Sequence, residues 1–242
     1  MSAFDARIIG PGRAGGALAA ALTSAGWRVD GPLGRGHDPA TATAGARVVL
    51  LAVPDGDVAG LSASLAPGDA VVAHVAGSLG LDVLAPHQRV ASVHPLVSLP
   101  DADLGARRLA GAWFAVAGDP VAAEVVDALG GRSVAVADED RTTYHAAAAV
   151  AANHLVALLG QVERLARQVG VPLEAYLDLA RGALDNVAEV GPAAALTGPV
   201  ARGDRATVAR HLAAIPEDER TIYAVLAEAA QRLVDDGVGV PA

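Results

Sequence analysis

The stretch IIGPGRAGGALAAAL, residues 8 to 22, decides the fold. Its apolar start is typical of a strand, and Gly10, Gly12 and Gly15 follow in G-x-G-x-x-G spacing before an alanine- and leucine-rich helix. In such a turn the first glycine permits a sharp bend, the second lets backbone amides approach a pyrophosphate, and the third lets helix and strand pack closely. The helix N-terminus then faces the anion. The stretch predicts a dinucleotide-binding turn, with a merely structural glycine turn as the alternative.

Short β-branched runs alternate with alanine- and leucine-rich segments up to about Asp138. Several runs are apolar throughout, as expected for strands of a sheet that is covered on both faces. Strands are predicted at residues 6–9, 47–53, 69–75, 89–93, 113–118 and 132–137, and helices at 15–25 and 120–129. This alternation is typical of an α/β fold with a doubly wound, mostly parallel Rossmann sheet, which we assign to a first domain of residues 1–140.

Strand patterns stop after Asp140. Within residues 142–169, apolar side chains recur at helical spacing and polar ones occupy the other side. Pro172 is suited to open a second helix, and Pro216 with the three acidic residues after it predicts the start of the last one. We therefore predict an all-α C-terminal domain over residues 141–242.

Composition argues against several classes of function. A net charge of −9 disfavours nucleic-acid and anionic-membrane surfaces, and all 18 basic residues are arginine, which removes lysine chemistry. The chain has no cysteine, and the apolar run from Ala146 is broken by Asn153 and His154. The first apolar residues lead straight into the glycine motif, so we expect no signal peptide. We expect a cytoplasmic protein that acts on a small molecule, without nucleic acid, membrane or metal.

The choice between NAD and NADP depends on the end of the second strand. Asp30 would accept from a ribose hydroxyl if the strand ended at Gly31-Pro32, whereas Arg35 would face a 2′-phosphate if the strand continued through Leu33. Because Arg13 adds a second cation inside the glycine loop, we favour NADP, with NAD possible. The alternative for Arg35 is a solvated loop arginine.

Two further strand ends are predicted to line the ligand crevice, since ligands of open parallel sheets bind at the carboxyl ends of the strands. LLAVPDGDV, residues 50–58, places Val53 and Pro54 at the cofactor, and AHVAGSLG, residues 73–80, brings Gly77 and Ser78 towards the nicotinamide and the substrate. Gly77 and Ser78 are equally consistent with ordinary turn residues.

Motifs along nearly the whole chain add up to a resemblance to a family. They are IIGPGRAGGALAAAL (8–22), VPDGDV (53–58), HVAGSLGLDVL (74–84), SVHPLVSLPD (92–101), YHAAAAVAANHLVALL (144–159) and ALTGPVARGD (195–204). Together they resemble Rossmann-like NAD(P)-binding oxidoreductases with a characteristic C-terminal helical domain, in the superfamily of ketopantoate reductase and phosphogluconate dehydrogenase. The resemblance implies a helical domain that closes the active site and often pairs, and hence a homodimer.

The same resemblance implies a reaction. The leading expectation is NADPH-dependent reduction of a small keto acid, with 2-dehydropantoate as the leading substrate by analogy. An imine or a pyrroline carboxylate is the alternative substrate. A nucleotide-binding regulatory protein without turnover remains open, as does a Rossmann methyltransferase, although a wholly helical second half disfavours the latter.

One departure from the resemblance concerns the proton donor. Hydroxyacid dehydrogenases place a lysine one turn before an asparagine on the first interdomain helix; here Asn153 suits the asparagine role, but Ala149 stands one turn earlier. His145 precedes Asn153 by eight residues, about 80° around an ideal helix, so we predict that Asn153 holds the substrate and His145 is the general acid. A partly buried structural histidine is the alternative. Tyr144 is a weaker candidate acid, expected to pack at the domain junction.

Three more residues are candidates for substrate binding. His94 ends a predicted strand, where it would touch the substrate or cap a loop. Arg202 would clamp a carboxylate with help from the Thr197 hydroxyl, while Asp204 caps the helix that begins at Arg205. The alternative for this stretch is a helix–helix turn stabilised by Arg202–Asp204 contacts.

Overall fold

In the computed structural model, which describes residues 2–238, the chain forms two compact units, Met1–Asn153 and His154–Ala242. The first unit holds every strand of the described residues, and the second is helical. The sequence places the boundary between the two predicted domains at residue 140, where the strand patterns stop. This boundary stays a prediction.

The first unit is a seven-stranded sheet in the order β2-β1-β3-β4-β5-β6-β7. Its strands are β1 Phe4–Ile9, β2 Val29–Leu33, β3 Ala46–Leu51, β4 Val71–His74, β5 Val90–Pro95, β6 Trp113–Gly118 and β7 Arg132–Ala135. Its helices are α1 Arg13–Ser24, α2 Asp55–Ser64, α3 Ala102–Leu109, α4 Val121–Ala128 and α5 Arg141–Ala149. Only the β5–β6 pairing is antiparallel among the described strands. The predicted doubly wound, mostly parallel sheet is confirmed.

Both faces of the sheet are covered, which explains why its inner strands are apolar throughout. On one face Ile8, Leu18 and Phe114 belong to a fully buried cluster built by α1, α3 and α4. On the other face Leu51 and Val58 belong to a smaller cluster beneath α2. Full burial of each such side chain contributes roughly 1.5–3 kcal/mol. In the sheet, β1 lies between β2 on one side and β3 on the other, so the strand order reverses at β1. The crevice for a ligand in such a sheet opens above β1 and β3.

The second unit is built from five helices among the described residues. They are α6 Leu155–Gln168, α7 Leu173–Ala195, α8 Gly198–Ala201, α9 Arg205–Ala214 and α10 Glu217–Val238. The predicted starts after Pro172 and Pro216 are confirmed, and the Asp204 carboxylate caps α9 by accepting from the Thr207 amide at 3.0 Å. The span of α7 contains a kink, because Gly191 with φ 79° is non-helical and bends the chain before Pro192.

Between α5 and α6, the five residues Val150–His154 form a π-turn. The helical stretch Asp138–Gln168 that contains it is the one helix of the described residues long and apolar enough, by length and composition, to span a membrane. Its best window has a mean hydropathy of 1.3, and 6% of that window is buried. Apolar side chains along this stretch therefore remain largely accessible to solvent.

Candidate dinucleotide and substrate site

A cavity of about 950 Å³ lies within the first unit, above the carboxyl ends of β1, β3 and β5. Four segments line it: the glycine loop, the turn after β3, the loop after β5, and the helix that begins at Arg141. The volume lies at the upper end of the range typical of small-molecule and cofactor sites. Of the sequence-predicted residues, the cavity brings together Gly12, Arg13, Val53, Pro54, His94, His145 and Asn153.

The glycine loop has the geometry that its spacing predicts. Gly10 has φ 118°, and a Cβ there would lie 2.2 Å from the Ala52 carbonyl oxygen; at Gly15 it would lie 1.9 Å from the Gly10 carbonyl oxygen. Around Gly12, in contrast, no atom lies within 4 Å of a Cβ position. Two glycines are thus required by packing, and the third leaves open space at the N-terminus of α1, where an anion would bind.

The second strand continues through Leu33, the condition under which Arg35 would face a 2′-phosphate. The Gly10 amide donates to the Leu33 carbonyl at 2.9 Å, so the residues after Leu33 emerge beside the glycine loop. Arg35 is exposed there. Asp30 is engaged elsewhere, because its carboxylate accepts from Arg7 Nε at 2.6 Å.

Arg7 is the partner that engages the Asp30 carboxylate. Its side chain is 9% exposed, and its Nη1 donates to the carbonyls of Thr41, Ala42 and Ala44 at 2.9, 2.7 and 3.0 Å. A buried guanidinium requires a nearby negative charge, and Asp30 supplies it. The role of Asp30 in the structure is therefore that of a counter-ion.

Gly77 and Ser78 occupy the turn after β4. Ser78 Oγ donates to Asp55 Oδ2 at 2.9 Å, which ties this turn to the start of α2. A Cβ at Gly77 would lie 2.5 Å from His145 Cδ2 and 2.9 Å from His94 Nε2. Gly77 thus packs directly against two histidines of the cavity wall.

The π-turn places Asn153 and His145 on the same wall. On an uninterrupted α-helix these residues would be separated by about 80°. A π-turn accommodates one extra residue, so the eight residues from His145 to Asn153 turn the chain about as far as seven would in an α-helix. The angle between the two side chains around the helix axis then falls to about 20°. Both side chains line the cavity. The assignment of Asn153 to the substrate and of His145 to proton donation stays a prediction.

His94 and Tyr144 form a link that the sequence reasoning missed. His94 Nδ1 and the Tyr144 hydroxyl are 2.7 Å apart, with the rings edge to face and their centroids separated by 5.5 Å. His145 also stands edge to face with His94, at 5.8 Å. Burial, followed by the neighbouring charges of His145 and Arg141, lowers the pKa of His94 to about 4. His94 is therefore uncharged at neutral pH.

The sequence predicts that Tyr144 packs at a domain junction. In the structure Tyr144 lines the cavity, and its hydroxyl is linked to His94. Its pKa is raised, mainly by burial, with the Arg141 charge acting in the opposite direction. In the sequence, His94 is visible only as a histidine at a strand end and Tyr144 only as the neighbour of His145. Because 50 residues separate the two partners, nothing in the sequence indicates their contact. Leu96, Val97 and Leu99 add an apolar wall that the sequence reasoning also missed.

Thr197 and Arg202 lie in the second unit, at the two ends of α8. Thr197 precedes the helix without a side-chain capping hydrogen bond, and Arg202 follows it. No Arg202–Asp204 ion pair is present within residues 2–238, while a hydrogen bond from Thr207 lowers the pKa of Asp204. The role of Thr197 and Arg202 in binding a carboxylate stays a prediction.

Two family models match parts of the chain. Residues 36–100 match a Rossmann-like domain, and residues 113–230 match a domain of unknown function, DUF2520. The second match begins at β6 and continues through most of α10, so it includes the end of the sheet as well as the helical unit. No curated protein matches the chain in sequence.

Solved structures share the fold over nearly the full length of this chain. A Bacteroides fragilis protein described as an NADP oxidoreductase is 18% identical with a TM-score of 0.78, covering 95% of this chain and 98% of its own. A reductive aminase from Aspergillus terreus, in complex with NADPH4, cyclohexanone and allyl amine, is 15% identical with a TM-score of 0.71, covering 99% of this chain and 96% of its own. Pyrroline carboxylate reductase from Plasmodium falciparum with NADP bound is 11% identical with a TM-score of 0.62, covering 97% and 99%. At these identities the likeness is one of fold.

Gly77→Ala is expected to destabilise the protein by about 1–3 kcal/mol, because the new methyl group overlaps the His145 ring and presses on His94. Urea unfolding measures the change. Gly56→Ala is the matched control, since no atom lies within 4 Å of its Cβ position. Equal stability of the two variants would contradict the close packing of this turn.

Proposed function

We propose that this protein is an NADP-dependent oxidoreductase that transfers hydride from the nicotinamide to an sp² carbon of a small molecule. The observation that carries the proposal is the cavity that joins the glycine loop to the wall of Tyr144, His145 and Asn153. A dinucleotide anchored at the loop extends from Gly12 towards that wall. Orientation of the two reactants within one cavity supplies most of the rate.

The cofactor is NADP in this proposal, with NAD as the less favoured alternative. Gly10, Gly12 and Gly15 shape the pyrophosphate turn, Arg13 and Arg35 supply cations, and Val53 with Pro54 lines the nicotinamide half. The engagement of Asp30 by Arg7 supports NADP, since the carboxylate that would accept from the ribose of NAD is already paired. The NADP-bound relatives in fold are consistent with this choice.

The substrate is a compound with a C=O or a C=N bond. Reduction of 2-dehydropantoate to pantoate is one candidate reaction, for which Arg202 and Thr197 would bind the carboxylate. Among the described residues that line the cavity, Arg13 is the only arginine, and it belongs to the glycine loop. An uncharged imine needs no such cation, whereas pyrroline carboxylate needs one as 2-dehydropantoate does. Two relatives in fold are a reductive aminase and a pyrroline carboxylate reductase. An imine or pyrroline-carboxylate type of substrate is thus at least as well supported.

The remaining assignments follow the cavity. Asn153 holds the reacting oxygen or nitrogen, and a side chain of the same wall, for which the sequence selected His145, supplies a proton. Gly77, Ser78 and His94 bound the substrate end, with the Ser78 hydroxyl held by Asp55. The expected cytoplasmic location, and the expected lack of nucleic-acid and membrane partners, stay predictions.

Cofactor choice is tested by titrating the protein with NADPH and with NADH and following the fluorescence of Trp27 and Trp113. NADPH is expected to bind more tightly. Arg35→Ala should weaken NADPH binding by about 10- to 100-fold, the value of a charge-assisted phosphate contact, and leave NADH binding unchanged. Arg232→Ala, an exposed arginine of the second unit, is the control. Equal losses for both nucleotides would place Arg35 away from the 2′-phosphate.

Substrate class is tested by NADPH oxidation with 2-dehydropantoate, with pyrroline carboxylate, and with cyclohexanone plus allylamine. If a carboxylate is bound by Arg202, the variant Arg202→Ala raises KM for the two acids by about 10-fold or more and leaves the uncharged imine unaffected. An unchanged KM for the acids would remove Arg202 from the site. Saturable NADPH binding without turnover of any compound would instead favour a nucleotide-binding regulatory protein without turnover.

We also propose that the protein is a homodimer, formed through its second unit. That unit carries large apolar side chains whose exposed fractions range from 36% to 70%. They are Val156, Val169, Val171, Leu179, Leu184, Val187, Val190, Ile222, Val225 and Leu226. Exposed apolar side chains in this number favour an interface, and a second copy is the occupant that the sequence resemblance implies.

Light scattering after size exclusion is expected to give twice the chain mass of 24.1 kDa. Leu179→Glu, at a residue 70% exposed, should shift the protein towards monomer, because a charge cannot be buried in an apolar interface without a partner. Val134→Glu, on the exposed edge strand β7, is the control and should remain dimeric. A monomeric wild type would contradict the assignment.

A further inference from the structure

The cavity wall contains one tyrosine whose hydroxyl is fixed by a histidine. Tyr144 lies on α5 and His94 at the end of β5, and both line the cavity. Their polar atoms are 2.7 Å apart and their rings meet edge to face at 88°. A hydroxyl held in this way has a defined direction, which is what a proton donor needs at the moment of transfer.

The charges around this pair come from three elements. Arg141 and His145 lie on α5 with Tyr144, His74 ends β4, and Asp55 begins α2; each of these affects the protonation of His94. Their combined effect together with burial keeps the His94 ring uncharged at neutral pH, with its pKa near 4. An uncharged imidazole carries one N–H, so in the Nδ1–H tautomer it donates to the Tyr144 oxygen.

Arg141 places a fixed positive charge beneath the pair. It is fully buried and precedes Tyr144 by three residues, so both side chains lie on the same face of α5. Its Nε donates to Asp138 at 3.3 Å, while Nη1 and Nη2 have no hydrogen-bond partner among the described residues. A buried guanidinium that is only partly compensated favours negative charge nearby, and a phenolate at Tyr144 would be such a charge.

His145 lacks an anchor of this kind. Within the described residues its side chain makes no hydrogen bond, and its Cδ2 edge lies against Gly77. The hydroxyl of Tyr144 is therefore the better-oriented acidic group of the wall.

We propose that Tyr144 is the catalytic proton donor of the reduction, with His94 as the residue that positions it. The inference rests on the proposed function. Bound NADPH would supply a hydride to the substrate carbon, and the electron pair of the C=O or C=N bond would move to the oxygen or nitrogen. That atom takes the proton of the Tyr144 hydroxyl, and the O–H bond breaks. The phenolate left behind accepts from His94 Nδ1–H, is stabilised by Arg141, and regains a proton from solvent water.

The chain offers a matched control. In the second unit, Tyr223 and His211 form a pair with the same 2.7 Å separation and an edge-to-face angle of 87°. Tyr144→Phe is expected to lower kcat by about 10²- to 10⁴-fold with NADPH affinity unchanged, whereas Tyr223→Phe should leave both unaffected. The assay uses whichever of 2-dehydropantoate, pyrroline carboxylate, and cyclohexanone plus allylamine the wild type reduces fastest.

The pH dependence separates a phenol from an imidazole. A tyrosine whose pKa is raised by burial keeps its proton through neutrality, so kcat should hold from about pH 6 to pH 9. An imidazole acid would lose activity as the pH rises through that range. His94→Asn should lower kcat and keep the flat pH profile, since it disturbs the direction of the Tyr144 hydroxyl and leaves a phenol as the acid.

Several results would overturn the inference. Full turnover by Tyr144→Phe, or a much larger loss in His145→Gln than in Tyr144→Phe, would return the acid to His145. Absence of NADPH oxidation by the wild type would overturn the proposed function and this inference with it. If Tyr144→Phe fails to fold, 3-fluorotyrosine is incorporated into a chain carrying Tyr176→Phe and Tyr223→Phe. If Tyr144 is the acid, the decrease of kcat at alkaline pH must then move to lower pH. An unchanged position of this decrease excludes Tyr144.

Discussion

The close approach of the glycine loop to the end of β3 is the contact on which the rest of the first unit depends. Gly10 is so close to the Ala52 carbonyl that a side chain cannot be placed there, and Gly15 is equally close to the Gly10 carbonyl. These two contacts fix the start of α1 above the sheet. They leave the space around Gly12 open at the point where the helix amides are unpaired. The cavity and its open end at Gly12 follow from this arrangement.

The opposite wall of the cavity depends on packing between α5 and the sheet. His94 reaches up from β5, Gly77 leaves room for two imidazole rings, and the π-turn at Val150–His154 brings Asn153 into line with His145. Buried Arg141 and uncharged His94 make this wall electrostatically uneven, with a positive charge below and neutral hydrogen-bonding groups above. Such an arrangement suits a reaction in which negative charge develops on the substrate and passes to a protein oxygen.

The sequence predicts features that a few adjacent residues determine. The strand–turn–helix at Gly10, the capping of α9 by Asp204 and the helix starts after Pro172 and Pro216 are all local, and each is confirmed. Features that arise from contacts between distant residues were not predictable. In the sequence Arg7 is only a strand residue, yet in the structure it is buried and pairs with Asp30. The link between His94 and Tyr144 requires the finished sheet, and a π-turn within an alanine run has no residue signature.

A crystal structure of the protein with NADPH is the decisive measurement, because it locates both ends of the cofactor at once. We expect the pyrophosphate at the amides around Gly12, the 2′-phosphate beside Arg35, and the reactive face of the nicotinamide turned towards Tyr144 and His145. A dinucleotide that leaves the glycine loop unoccupied, or one whose nicotinamide ring points away from that wall, would contradict the account.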